Sequence, residues 1–80
     1  MFSRQFVRID TSGPDEEACL LFDERGALVA VLVRLSEQHS RELVGKWFLE
    51  HGFGAMETSE HPVFASIDDA ETWAEAVRRP

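Results

Sequence analysis

Apolar residues are spaced among polar ones over "FSRQFVRI" (2–9), where Phe2, Phe6, Val7 and Ile9 carry the pattern of a strand. Residues 10–16, "DTSGPDE", are punctuated by Gly13 and Pro14 and read as a loop. Two further apolar runs, 18–22 and 27–35, predict a second and a third strand. The "DERG" between them (23–26) suits a hairpin loop with Gly26 at positive φ. Three strands with short connections make an antiparallel meander.

The third run is apolar on both sides of its alternation. Val29, Val31, Val33 and Leu35 share one face, and Leu28, Ala30 and Leu32 the other. A strand covered on both faces has this pattern. A dimer interface on the second face is one way of covering it.

Beyond Ser36 the period changes. Leu43, Val44, Trp47 and Phe48 fall at i, i+1, i+4 and i+5, so a helix is expected with Ser36 as its N-cap. Glu37–Arg41 and Glu42–Lys46 are acid-first i,i+4 pairs on its outer face. Gly52 takes the place of its left-handed C-terminal cap, after His51 in the last turn. "GKWFLEHGFG" (45–54) is then a helix end and its stop signal.

His61-Pro62 leads into a short fourth strand, 63–66, because proline suits a strand's start or an edge. Ser66 and Asp69 form a capping pattern for a last helix, 67–79. Ile67, Ala70, Trp73 or Ala74, and Val77 line one side of it. Asp68 and Asp69 at its start and Arg78 and Arg79 at its end complement the helix dipole. The expected fold is a single α+β domain, 1–80, of order βββαβα with both helices on one face. A right-handed crossover would set the fourth strand parallel to the third, beside the first.

Composition adds limits. The chain has 80 residues, 44% hydrophobic and 29% charged, the balance of a folded globular domain. Fifteen acids against eight basic residues give a formal net charge of −7. That field disfavours phosphate backbones and anionic membranes. Cys19 is the only cysteine, so no internal disulfide or cysteine-rich zinc site is available. No signal-peptide core opens the chain, and residues 27–33 fall far short of the roughly 20 apolar residues that span a bilayer. A cytoplasmic location is expected.

Candidate chemistry is sparse. Gly45-Lys46 lacks the rest of a phosphate loop, since position 40 is Ser and position 47 is Trp. Gly52-Phe53-Gly54 lacks the third glycine of a dinucleotide fingerprint, where Glu57 stands. On the expected helix His39 and His51 lie about 18 Å apart, too far to share a metal. Only a connector that folded back would join His51, His61 and Glu57. Cys19, between Ala18 and Leu20, reads as a small buried hydrophobe. Acids such as Asp68–Asp69 and Glu16–Glu17 have structural uses as a helix start and a loop edge. No catalytic constellation, metal or cofactor is expected.

What remains is surface. Phe2, Arg4, Phe6 and Arg8 alternate onto one face of the first strand, and Phe53 and Met56 lie on the connector. These six residues are the expected contacts of a non-enzymatic protein-interaction or regulatory module, binding a protein partner or a second copy. The alternative is a single-stranded nucleic-acid binder using the Arg4–Phe6–Arg8 face. A small-molecule site would centre on Trp47, His51, Phe53 and His61.

Overall fold

A computed structural model describes residues 2–10, 13–36 and 39–78. Five strands form one sheet in the order of the chain: β1 (Ser3–Arg8), β2 (Glu17–Phe22), β3 (Leu28–Arg34), β4 (Trp47–Gly52) and β5 (Val63–Phe64). Every neighbouring pair is antiparallel. One helix, α1 (Ile67–Arg78), follows and lies across one face of the sheet. Arg79, Glu37 and loop residues 11 and 12 lie outside the described residues.

The three expected strands and their meander are present. In the β2–β3 hairpin, Gly26 has φ +84° and its N–H donates to the Asp23 carbonyl at 2.9 Å. Asp23 stabilises the same turn through its side chain. Its Oδ1 accepts hydrogen bonds from the Arg25 and Ala27 N–H groups, both at 2.9 Å. The terminal helix is also as expected, with the Ser66 hydroxyl accepting from the Asp69 N–H at 3.1 Å. Ile67, Ala70 and Ala74 are its buried residues.

Among the described residues the helix expected between Ser36 and Gly52 is absent, and the order βββαβα with two helices gives way to five strands and one helix. Gly45 adopts φ +82° and turns the chain back on itself. The reversal is closed by Leu35 N–H to Lys46 O and Gly45 N–H to Leu35 O, each 2.8 Å. Trp47–Gly52 then pairs with β3, and Leu49 enters the core at 1% exposure. Lys46 is therefore not on the outer face of a helix, and no Glu42–Lys46 helical pair exists. A glycine inside a helix costs about 1 kcal/mol, whereas burying a leucine side chain contributes about 1.5–3 kcal/mol. The sheet gains more from this segment than a helix would.

Gly52 is not a helix stop either. It sits in β4, where a β-carbon would collide with the Met56 carbonyl in the 3-10 turn that follows (Gly54–Met56). The last strand also departs from expectation. β5 runs antiparallel to β4 at the far edge of the sheet, pairing Trp47 with Phe64, and not parallel beside β1. With β4 inserted as a strand, no crossover connection remains to impose a parallel pair.

The core lies between α1 and the sheet. Cys19, Leu21, Ala30, Leu32 and Leu49 meet Ile67 and Ala70, flanked by Trp47, Phe64 and Trp73. A smaller cluster of Phe2, Met56 and Ala74 closes one end.

Candidate functional site

The strand register sorts the sheet into two unequal faces. On the face that carries α1, Phe6, Cys19, Leu32 and Leu49 form one row across four strands. On the opposite face, Val7, Ala18, Val33, Phe48 and Val63 form a row across all five. Beside it run Gln5, Leu20, Val31 and His51, then Ser3, Phe22 and Leu28. No helix covers these rows. Val7, Leu20, Phe22, Leu28, Val31 and Phe48 are half-buried, and Val63 is 38% exposed.

One end of this face is roofed by loops. Ala18 and Val33 are buried, at 1% and 4% exposure. A hollow of about 460 Å³ separates the loop around Pro14 and Asp15 from the segment around His39 and Leu43. Its walls are Val33, Leu35, Phe48 and Val63, and Glu50 stands at its rim. The two loops are tied together: Asp15 Oδ2 lies 2.6 Å from His39 Nε2, and Asp15 Oδ1 accepts the Ser36 N–H at 2.7 Å. The Ser36 bond, then His39, hold the Asp15 carboxyl below its ordinary value. Residues 15 and 39 are 24 apart, and no sequence pattern announces their meeting.

The six expected contact residues are dispersed. Phe2 and Met56 are core residues, at 8% and 1% exposure. Phe2 also receives the Arg78 guanidinium 5.2 Å above its ring. Arg4 lies on the α1 face, hydrogen-bonded to Asp68 and Glu71 of the helix. These carboxylates, Asp68 first, raise its pKa further. Arg8 pairs with Glu16 at 2.6 Å. Phe6 is 63% exposed, its ring 6.1 Å from Trp47, and Phe53 is 42% exposed with His51 at 4.5 Å. The stripe on β1 is therefore not an open platform: its arginines are held by acids, and α1 stands over part of it.

The histidines also separate. His61 stacks on Phe48 at 5.2 Å and its Nδ1 lies 2.8 Å from the Leu49 carbonyl. His51 lies against Phe53. Among the described residues, no three His, Cys, Asp or Glu side chains are grouped to hold a metal. Cys19 is fully buried, and that burial pushes its thiol pKa up. No described helix is long and apolar enough to cross a membrane.

The surface that stands out is thus the helix-free face. None of the six expected contact residues lies in its rows, although the apolar positions on both sides of 27–35 suggest a dimer interface on one side of that strand. Comparison with protein-family models, with curated proteins and with solved structures finds no match to this chain.

Proposed function

We propose that this chain is a non-enzymatic cytoplasmic interaction module whose working surface is the helix-free face of its sheet. The observation that supports the reading is the pair of rows through Leu20 and Val31 and through Phe22 and Leu28, whose apolar residues are half-buried on a face that α1 does not cover. Apolar surface left in water is a standing free-energy cost, relieved when a partner removes it. The −7 net charge disfavours a phosphate backbone as that partner. The nucleic-acid alternative on β1 retains Phe6 as an exposed ring, but Arg4 and Arg8 are already engaged by acids.

The test is affinity capture from native lysate after nuclease treatment, using the wild type beside Leu20→Glu. Circular dichroism first establishes that the variant is folded. The wild type is expected to retain specific proteins, its own chain included, that the variant loses. Identical sets from both proteins would defeat the proposal. Material held by the wild type and released by nuclease would move the function to the β1 side.

A further inference from the structure

We infer that the outer edge of β1 takes an extended, basic peptide segment as a sixth strand, its Lys or Arg side chains set against the acidic flank of α1. This edge is a different surface from the helix-free face, and the inference stands independently of that reading.

The two edges of the sheet are built differently. β5 is two residues long and follows Pro62, so little backbone is open to pairing there. β1 is six residues long, holds no proline, and keeps one unbroken register with β2. The Ile9 N–H donates to the Glu16 carbonyl at 2.8 Å, which turns residue 9 toward the β2 side. Main-chain direction alternates along a strand, so Gln5 and Val7 also face β2, while Arg4, Phe6 and Arg8 turn their N–H and C=O groups outward. Among the described residues no strand pairs with these groups. The charged side chains that guard such edges are engaged elsewhere: Arg4 with Asp68 and Glu71 on α1, Arg8 with Glu16.

Charge selects the occupant. Asp68, Glu71, Thr72 and Glu75 fall at i, i+3, i+4 and i+7 and share one flank of α1. The opposite flank sets Trp73 against Phe64 of β5 at 5.4 Å, so the acidic flank overlooks β1. With Phe2, these four residues line a shallow hollow of about 440 Å³ beside the edge. Arg4 is a single guanidinium among three carboxylates there, and Arg78, over the Phe2 ring, is bonded in turn to Glu24. The balance is acidic, as is the chain's net charge of −7.

An added strand lies about 4.8 Å outside β1 and points alternate side chains toward the α1 side. In antiparallel pairing, the arrangement of every pair in this sheet, those side chains belong to the residues that bond Arg4, Phe6 and Arg8. Lys or Arg at those positions meets the acidic flank. Main-chain bonds give the affinity and the alternate charges the selectivity. A second copy of this chain is the wrong occupant, because two β1 edges side by side would bring two acidic flanks together on one side of the sheet.

The probe is a capped peptide of alternating lysine and valine, long enough to match the six residues of β1, added to the isotope-labelled full chain. Without peptide, the Arg4, Phe6 and Arg8 amides are expected to exchange with solvent at least about tenfold faster than those of Gln5 and Val7. Peptide raised to about 1 millimolar is expected to bind and to slow those three amides at least about tenfold. A peptide N-methylated at its lysines loses the N–H groups aimed at β1 and is expected not to bind. Glu75→Lys, on the exposed surface of α1, is expected to keep its circular dichroism spectrum and to weaken binding by about threefold to tenfold. Wild-type binding is likewise expected to weaken as salt is added. Slow exchange of the three amides without peptide, or binding that leaves them fast, overturns the added strand. Equal binding of a glutamate–valine peptide, or binding indifferent to both Glu75→Lys and salt, overturns the basic occupant. No binding at about 1 millimolar overturns both.

Discussion

Gly52 passes so close beneath the Met56 carbonyl that no β-carbon fits between them. Met56, buried with Phe2 and Ala74, ties the 3-10 turn to α1. Gly52→Ala forces that turn outward and opens the smaller core cluster. The expected cost is about 2–3 kcal/mol, in the range of overpacked core sites. Denaturant unfolding checks it, and a wild-type midpoint would contradict the close packing.

Asp23 makes the β2–β3 turn sensitive to acid. It is 3% exposed, and its carboxyl is held below the ordinary value by the Ala27 N–H first and then by Arg25. Because the folded-state pKa lies below the unfolded one, this contribution is whole above about pH 4 and fades as pH falls toward the folded value. Asp23→Ala is expected to lower Tm at pH 7 and to flatten the decline of Tm below pH 4. Thermal melts of both proteins from pH 7 to pH 2.5 make the comparison.

Arg4 joins β1 to α1 through Asp68 and Glu71. Arg4 and Asp68 are open to solvent, at 34% and 82% side-chain exposure, so the coupling is modest. A double-mutant cycle with Arg4→Gln and Glu71→Gln is expected to give about 0.5–1 kcal/mol, shrinking as salt is added. Arg4→Glu sets a third carboxylate beside two others and loosens the helix. It therefore reports on folding and not on association, and a coupling near zero at low salt would show the three groups to be independent.

Cys19 is sealed between the sheet and α1. Its thiol is buried and its pKa raised, so little thiolate forms and reagents do not reach it. Alkylation at pH 8 is expected to be slower than for a free thiol by at least about a hundredfold, with a rate that follows unfolding. Fast labelling of the folded chain would mean that the helix opens readily.

The features legible in the sequence were local ones. The strands of the meander, the Gly26 turn and the Ser66-capped helix each follow from neighbours a few residues apart, through a period of two, a turn residue or a cap. The α+β class follows from these elements together. The candidate surface was half legible: both sides of 27–35 are apolar, but which side α1 covers is not written along the strand.

Tertiary structure decided the rest, and nowhere more than over 45–52. The spacing of Trp47 and Phe48 from Leu43 and Val44 suits a helix, while Trp47 and Leu49 alternate equally well as a strand. Local preference separates the two by about a kilocalorie at most. Pairing with β3, some fifteen residues away, supplies a ladder of hydrogen bonds and buries Leu49 against Leu32, and that non-local gain chose the strand. Once β4 was a strand, β5 had an edge to join, one helix remained to cover one face, and the apolar rows through Val31 were left on the other.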